Sequence, residues 1–186
     1  MTKSEARVCG RAARSSLPSE LRLELSRPAC AHISASPQFR SAGVVLLYNA
    51  IGAELSLKYL EPLVGQRFVF PVCREDMTLG IYEGVYMRRG MYGITEPDTE
   101  LCREISPDEV GLVICPCTAF DGVGHRTGMG AGYYDRLLPE LTHAHIMCAA
   151  FEVQRVPCIE AEAHDFSMMS AATERGIICF ERGRLP

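Results

Sequence analysis

The sequence predicts an α/β fold in which a largely parallel central sheet is flanked by helices, and three observations support this class. Short apolar runs without polar alternation are typical of parallel strands buried on both faces, and five occur, at 44–48, 68–70, 110–115, 146–151 and 177–180. Segments with helical character precede or separate these runs, at 3–15, 19–35, 54–63 and 132–140. The chain has 186 residues, of which 47% are hydrophobic, so we expect one core and a single domain over residues 1–186.

The composition excludes several classes of function. A net charge of −4 and a pI of about 5.8 provide no overall attraction for nucleic acid or for an anionic membrane. The apolar runs are far shorter than the ~20 residues that cross a bilayer. Nine cysteines, an odd number lying partly inside apolar runs, indicate reduced thiols rather than a disulfide framework. We therefore expect a soluble cytoplasmic protein with small-molecule partners, a monomer or at most a weak homodimer.

The first predicted helix carries a basic face. Its cations follow one another in steps of four, four and three, and residues three or four apart are neighbours on a helix; they are Lys3, Arg7, Arg11 and Arg14. Such a face is commonly just solvated, yet a clamp for phosphate groups needs the same geometry. The pattern alone leaves both interpretations open.

The middle of the chain, from about 71 to 107, differs from the rest in composition and pattern. It is rich in tyrosine, methionine, glycine and proline and has little periodicity, which predicts short strands and loops. The segment is either a surface excursion or the wall of a pocket, because Tyr and Met give adaptable apolar contact to a flat ligand.

A glycine-rich loop, RTGMGAGYYDR at 126–136, follows a predicted buried strand and leads into a helix. Ligands of parallel sheets collect at the carboxyl ends of strands, where a helix start offers free N–H groups to anions. The loop matches neither of the two common phosphate signatures, and glycines alone equally suit a structural turn. Arg126 and Arg136 for phosphate charge, and Asp135 for a cation, favour a polyphosphate site.

A second carboxylate, Asp165, lies about thirty residues further on, after His164. Two carboxylates meeting at a phosphate would suit Mg²⁺, which usually takes one or two carboxylates together with phosphate oxygens and water. The alternative is that Asp165 caps a turn, as aspartate commonly does.

Several short segments occur in one order along the chain: K-x-x-x-R at 3–7, Glu54, GITEP at 93–97, AFDGVGHRTGMGAGYYDR at 119–136, AFEVQ at 150–154, HD at 164–165 and TERGI at 173–177. Together they resemble the 5-formyltetrahydrofolate cyclo-ligase family, and the G-x-G-x-G-Y-Y-D-R block is the most specific of them. The resemblance covers nearly the whole chain and implies a fold like that of the NagB/RpiA/CoA transferase proteins.

The resemblance implies an ATP-dependent, Mg²⁺-requiring conversion of 5-formyltetrahydrofolate to 5,10-methenyltetrahydrofolate with release of ADP and phosphate. The formyl oxygen attacks the γ-phosphate, and the 10-nitrogen captures the resulting iminium phosphate. Phosphorylation turns a poor leaving oxygen into a good one, so the protein mainly positions its substrates and stabilises charge.

The resemblance also assigns residues. Lys3 and Arg7 match the amino-terminal phosphate-binding pair, and Asp135 and Asp165 match the metal-associated aspartates. The expected ATP-binding residues of the loop are Arg126, Gly128, Met129, Gly130, Ala131, Gly132, Tyr133, Tyr134 and Arg136. The expected folate contacts are Glu54, Met77, Tyr92 and Tyr133. Arg126 and Tyr133 are the expected catalytic residues, and Tyr133 is given an orienting role because an unperturbed phenol stays protonated at neutral pH.

The chain departs from the family pattern at four positions. Cys117 stands where glycine is usual, and Thr127 where leucine or isoleucine is usual. Met129 and Ala131 occupy positions that carry a basic residue in some members. The loop is therefore expected to depend for its positive charge on Lys3, Arg7, Arg126 and Arg136.

Two alternatives compete with the enzyme. One is a folate- or nucleotide-binding protein of the same fold without turnover, which would lack a metal aspartate or the basic clamp; both are present. The other is a metal-binding module, which lacks the C-x-x-C pairs of structural zinc sites and would use Cys115, Cys117, His143 and His145.

Overall fold

Eight strands form the central sheet within residues 1–162 and 165–180, which the computed structural model describes. The helices are α1 (Lys3–Ser16), α2 (Ser19–Ala35), α3 (Pro37–Ser41) and α4 (Tyr133–Leu137). The strands are β1 (Val44–Leu46), β2 (Arg67–Cys73), β3 (Leu79–Glu83), β4 (Met87–Arg89), β5 (Thr95–Pro97), β6 (Arg103–Glu104), β7 (Leu112–Pro116), β8 (Ala119–Phe120), β9 (Arg126–Thr127), β10 (His145–Ala149), β11 (Ser170–Thr173) and β12 (Gly176–Cys179).

The strand order of this sheet is β12-β11-β10-β7-β1-β2-β3-β6. The pairs from β11 through β10, β7 and β1 to β2 are parallel, whereas β12, β3 and β6 add antiparallel strands at the two sides. Two small antiparallel pairs, β4 with β5 and β8 with β9, lie outside it. The largely parallel sheet flanked by helices is therefore confirmed.

The parallel strands are apolar throughout because both faces of the sheet are covered. Successive residues of a strand point to opposite faces, and in β7 Val113 and Cys115 join one core cluster whereas Leu112 and Ile114 join the other. Helix α2 covers the second cluster with side chains such as Ile33, which is fully buried. This two-sided burial explains why the strands lack polar alternation.

Helix α1 packs unusually close to the chain that follows β7. Thr2 and Glu5 form a capping box at its start, which fixes where the helix begins. Gly10 faces Thr118 so closely that an added Cβ would lie 2.1 Å from the Thr118 carbonyl oxygen. Ala6, fully buried, packs beside it in a small cluster with Ala119. Small residues thus hold α1 against the carboxyl end of the sheet.

One predicted helix is wrong. Residues 54–63 form turns and irregular chain, although three of their leucines are buried. Their backbone groups bond elsewhere: the Leu55 carbonyl accepts from the Tyr48 hydroxyl at 2.7 Å, and the Ser56 amide donates to Ser26 Oγ at 3.0 Å. Tertiary hydrogen bonds have replaced the helical ones.

Two further predictions need correction. The run at 177–180 lies mainly in β12, which is antiparallel to β11 and only partly buried. The parallel strand beside β10 is β11, whose sequence SAAT is too polar to stand out as an apolar run. The helix predicted at 132–140 is α4 followed by a 3₁₀ turn at Leu138–Glu140, because Pro139 lacks the N–H that would extend α4. The first two helices and the loop-rich middle segment are confirmed.

Among the described residues, no helix is both long and apolar enough to cross a membrane.

The contact at Gly10 predicts that alanine at this position destabilises the protein, although alanine has the higher helix propensity. Replacing a glycine inside a helix by alanine normally stabilises the helix by about 1 kcal/mol. Gly10→Ala should instead destabilise the protein by roughly 1–3 kcal/mol, because the new methyl group overpacks the contact with Thr118. Urea unfolding measures this, with the exposed Ser15→Ala on the same helix as control. Equal or greater stability of Gly10→Ala would contradict the close packing.

Candidate active site

One cavity of about 860 Å³ opens where β1, β2 and β7 end. Its wall combines the start of α1, the segment after β1, the residues around β5, the glycine-rich loop and Asp165. This is where a parallel sheet places ligands. Of the residues predicted as sites, these line it: Lys3, Arg7, Glu54, Tyr92, Arg126, Gly128, Met129, Gly130, Ala131, Gly132, Tyr133, Tyr134, Asp135, Arg136 and Asp165.

Met77 is the predicted site residue that does not line the cavity. It lies in the turn between β2 and β3 with its side chain exposed. Its carbonyl oxygen accepts a hydrogen bond of 2.8 Å from Arg136 Nε, while Arg136 Nη2 donates to the Ala131 carbonyl at 2.7 Å. Met77 therefore reaches the site through Arg136, which ties this turn to the glycine-rich loop.

The basic face of α1 is not simply solvated. Lys3 Nζ lies 2.5 Å from Asp165 Oδ1 and 2.9 Å from Glu162 Oε2. Arg7 Nε donates to the Gly128 carbonyl at 2.8 Å, so the helix holds the loop directly. Arg14 is buried, and Arg11 is the member that stays exposed. Two cations of this face thus line the cavity and a third lies beneath it.

The glycine-rich loop turns into α4 through a left-handed residue. Gly132, the residue that precedes α4, has φ 71°, a region that favours glycine. An added Cβ there would lie 3.1 Å from Arg136 Nη1, so the loop leaves little room for a side chain. The sharp turn brings Tyr133, Tyr134 and Asp135 to the cavity immediately after the loop.

Arg126 and Asp135 form an ion pair at the base of the loop. Arg126 Nη2 lies 2.7 Å from Asp135 Oδ1; the arginine side chain is 3% exposed and the aspartate 41%. The pair therefore combines a buried cation with a carboxylate that is still accessible from the cavity. Asp165 forms a second ion pair, with Lys3, in which both side chains are partly buried.

The two aspartates fit a cation that is also held by a ligand. Within residues 1–162 and 165–180, no group of three His, Cys, Asp or Glu side chains is placed to hold a metal by itself. Mg²⁺ is commonly bound by one or two carboxylates, with phosphate oxygens and water completing its octahedron. Asp135 and Asp165 supply that number of carboxylates. His164, quoted in the HD motif, lies outside the described residues.

Two tyrosines that line the cavity face each other. The hydroxyl oxygens of Tyr92 and Tyr133 are 3.4 Å apart, and their rings meet edge to face with centroids 6.3 Å apart. The hydrogen bond with Tyr92 raises the pKa of Tyr133 to about 12. A phenol that stays protonated at neutral pH donates a hydrogen bond but does not act as a base.

A buried carboxylate, Glu54, lines the apolar part of the cavity. Its side chain is 6% exposed, and its Oε2 accepts from the Ile51 amide at 3.0 Å. Burial raises the pKa of Glu54, whereas the Ile51 amide and the nearby Arg14 lower it. Such a group is a strong acceptor for N–H groups of a bound ligand.

The buried polar atoms that lack partners concentrate at this site. Within the described residues, the buried side-chain nitrogen and oxygen atoms without a hydrogen bond are Arg14 Nε, Arg126 Nε, Thr127 Oγ1 and Tyr134 Oη. Three of these residues line the cavity, and Arg14 contacts Glu54 and Met129, which also line it. Buried polar groups are normally satisfied, so their concentration here marks a ligand site.

Two polar residues of the site were not assigned from the sequence. Glu96 lines the cavity at 2% exposure, where it accepts from the Cys73 amide at 3.3 Å and lies 3.7 Å from Arg88. Arg14 belongs to the basic face of α1, and that spacing was the available signal. For Glu96 the signal was limited to its position in the GITEP segment. Its burial results from the way β4 and β5 fold, which the sequence alone did not reveal.

The alternative of a metal-binding module is not supported. Cys115 and Cys117 are buried, and burial raises the pKa of Cys115 to about 12. His145 Nε2 lies 2.8 Å from Ser170 Oγ, and His143 is exposed. In the described part of the chain these four residues form no metal cluster.

The comparisons with known proteins agree with this geometry. The sequence profile of the 5-formyltetrahydrofolate cyclo-ligase family matches residues 1–174. The chain belongs to this family. It is 29% identical over 150 residues to the 5-formyltetrahydrofolate cyclo-ligase of Mycolicibacterium smegmatis, covering 74% of this chain and 77% of that protein.

Two solved structures share the fold of this family member. The 5,10-methenyltetrahydrofolate synthetase of Aquifex aeolicus, determined by NMR, is 28% identical with a TM-score of 0.85, covering 99% of this chain and 95% of its own. The 5,10-methenyltetrahydrofolate synthetase of Mycoplasma pneumoniae is 19% identical with a TM-score of 0.76, covering 94% of this chain and 99% of its own. At that identity the second likeness concerns the fold alone.

The burial of the thiols predicts their reactivity. The thiolate is the reactive form, and the exposed cysteines are Cys9, Cys158 and Cys179. The disulfide reagent of Ellman should therefore label three thiols rapidly in native protein, and all nine after denaturation without reductant. A zinc chelator should leave both values unchanged. Fewer than nine thiols in the denatured protein, or rapid labelling of Cys115, would contradict this description.

Proposed function

We propose that this chain catalyses the ATP- and Mg²⁺-dependent cyclisation of 5-formyltetrahydrofolate to 5,10-methenyltetrahydrofolate, with release of ADP and phosphate. Family membership supports the cyclo-ligase activity. The observation that carries the proposal is that one cavity has two chemically different halves. The charged lining residues form what we call the cationic half: Lys3, Arg7, Arg126, Asp135 and Asp165. The other half consists of Glu54, Tyr92 and Tyr133.

The cationic half suits a nucleoside triphosphate. Lys3, Arg7 and Arg126 bring three positive charges to one wall, and Arg126 is almost fully buried. Buried cations interact more strongly with phosphate than solvated ones, because water screens them less. The glycines of the loop allow the phosphates to approach the backbone closely. For these reasons we propose that residues 126–136 bind ATP together with Lys3 and Arg7.

The other half suits a reduced pterin. Its ring carries N–H donors, and the buried Glu54 carboxylate offers oxygens to accept them. The Tyr92 and Tyr133 rings provide apolar contact for a flat ligand. Met77 would act on this half indirectly, by holding Arg136 beside Tyr133, whose ring centroid lies 5.7 Å from the guanidinium carbon.

The metal requirement fits the same arrangement. Asp135 and Asp165 would hold Mg²⁺ together with the phosphates of ATP, and the ion would neutralise charge that develops on the transferring phosphoryl group. Lys3 and Arg126, which pair with these aspartates, would then bind phosphate oxygens. The chain contains both the aspartates and the basic clamp, so nothing favours the alternative of a binding protein without turnover.

In the proposed reaction the formyl oxygen attacks the γ-phosphorus and ADP leaves, which produces an iminium phosphate on the folate. The 10-nitrogen then attacks the former formyl carbon, loses its proton, and phosphate departs as the ring closes. Arg126 and Lys3 stabilise the charge of the transferring group. Tyr133 directly follows the glycine-rich loop and contacts Tyr92, so it would lie between the two substrates and orient the formyl group through its protonated hydroxyl.

The partners implied by this proposal are small molecules. Both substrates would bind in one cavity, whose volume of about 860 Å³ is within the range of ligand sites. The nine cysteines are all free, and free thiols persist in a reducing compartment. We accordingly propose a cytoplasmic location.

Turnover tests the proposal directly. Purified protein incubated with 5-formyltetrahydrofolate, ATP and Mg²⁺ should generate the absorbance of the methenyl product, together with equal amounts of ADP. Omitting ATP, or adding a chelator of Mg²⁺, should abolish product. Binding of both substrates without product would show that the chain is not this enzyme.

Asp135→Asn should lose activity far more than stability. An amide oxygen still accepts from Arg126, so we expect a loss of about 1–2 kcal/mol in the free energy of unfolding. Because altering groups around a metal costs about 10–100-fold, loss of a ligand should lower kcat/KM by ~100-fold or more at limiting Mg²⁺. The exposed Asp108→Asn is the matched control. Parallel losses of stability and activity in Asp135→Asn would indicate a structural residue.

A further inference from the structure

We propose that Arg14, a buried residue of α1 outside the predicted site, is a positioning residue for the folate-binding carboxylate of Glu54. The inference rests on the proposed function, because it assigns Glu54 to the folate half of the cavity. It adds a residue that neither the resemblance nor the basic-face pattern had assigned a role.

One guanidinium touches both halves of the site. Arg14 Nη1 lies 3.8 Å from Glu54 Oε1 and donates to the Cys117 carbonyl at 3.3 Å. Arg14 Nη2 lies 3.6 Å from Met129 Sδ in the glycine-rich loop. The side chains of Arg14 and Glu54 are 5% and 6% exposed. The pair is therefore buried beneath the cavity, where water does little to screen it.

The hydrogen bonds of Arg14 are incomplete in its buried position. Arg14 Nε is buried without a hydrogen-bond partner, which is a cost that a methionine would avoid. The contact with Glu54 is longer than a hydrogen bond, so Arg14 acts on it mainly through its charge. A buried ion pair with an unsatisfied donor contributes little to the stability of a fold. The presence of Arg14 beside Glu54 is therefore better explained by a role in the site.

Among the described residues, Arg14 is the cation that lies beside Glu54. The hydroxyls of Tyr48, after β1, and Tyr134, on α4, are the other titratable groups near it, and both are buried and protonated. Burial raises the pKa of Glu54, and Arg14 opposes that rise. An ionised Glu54 accepts N–H groups with both oxygens, whereas a protonated one loses acceptor capacity and gains a donor.

The uncharged centre of the loop fits this role. Met129 packs its sulfur against the Arg14 guanidinium. Met129 is half exposed, yet its sulfur lies 3.6 Å from Arg14 Nη2, so a lysine at this position would bring a second cation close to Arg14 and repel it. A thioether avoids that repulsion and leaves the charge of Arg14 directed to Glu54.

The test is equilibrium binding of 5-formyltetrahydrofolate, followed by calorimetry across pH, with ADP and Mg²⁺ binding as the second readout. Arg14→Met should weaken folate binding by ~10-fold or more near neutral pH. Without Arg14 the pKa of Glu54 rises, so the acid side of the binding profile should move to higher pH and affinity should return as pH is raised. ADP affinity should change little. Arg14→Lys should restore much of the folate affinity, and Arg11→Met, exposed on the same helix, should behave as wild type.

A double-mutant cycle provides the decisive comparison. In a Glu54→Gln background, Arg14→Met should have no further effect on folate binding, because the carboxylate it serves is gone. Unchanged folate affinity in Arg14→Met, or equal losses of folate and ADP binding that persist with Glu54→Gln, would overturn the assignment. Wild-type protein that binds folate but forms no methenyl product would refute the proposed function while leaving this positioning role intact.

Discussion

The close approach of α1 to the carboxyl end of β7 is the constraint on which the site depends. Gly10 and Ala6 have no side chain long enough to separate the helix from Thr118 and Ala119. Because α1 lies this close, cations from the first turns of the chain reach a cavity whose other walls come from residues between Tyr48 and Phe166. The contact between Arg7 and the Gly128 carbonyl then fixes the loop relative to the helix.

Within this frame the charges of the site are paired before any ligand binds. Lys3 contacts Asp165, and Arg126 contacts Asp135, so two of the three cations of the proposed phosphate site each neutralise a carboxylate of the proposed metal site. Under the proposed function, binding of Mg²⁺ and ATP would break both ion pairs. The carboxylates would then contact the metal, and the cations would contact phosphate. Neither ligand alone compensates both sets of charges, which favours their binding as a complex. The pairing also keeps buried cations such as Arg126 from destabilising the fold.

Local patterns predicted much of this structure, and tertiary effects account for the rest. The basic residues of α1 and the glycines of 126–136 were identified because their spacing in the sequence is itself the signal for a shared helix face and for a flexible loop. Strand β11 was missed because its sequence, SAAT, has no large apolar side chain to mark it as buried. The neighbouring elements bury it in the fold. Residues 54–63 were misassigned because Tyr48 and Ser26, which lie outside this segment, form hydrogen bonds with its backbone. Arg14 had the right spacing, but its proximity to Glu54 exists only in the fold.

The central claim is that one cavity binds nucleotide and folate side by side, with phosphates held by α1 and the loop. The most direct measurement is a crystal structure with Mg²⁺, a non-hydrolysable ATP analogue and 5-formyltetrahydrofolate. The account predicts phosphate oxygens on Lys3, Arg7 and Arg126, the metal at Asp135 and Asp165, both ion pairs opened, and the pterin against Glu54. A nucleotide bound outside the cavity, with the Lys3–Asp165 and Arg126–Asp135 pairs intact, would contradict it.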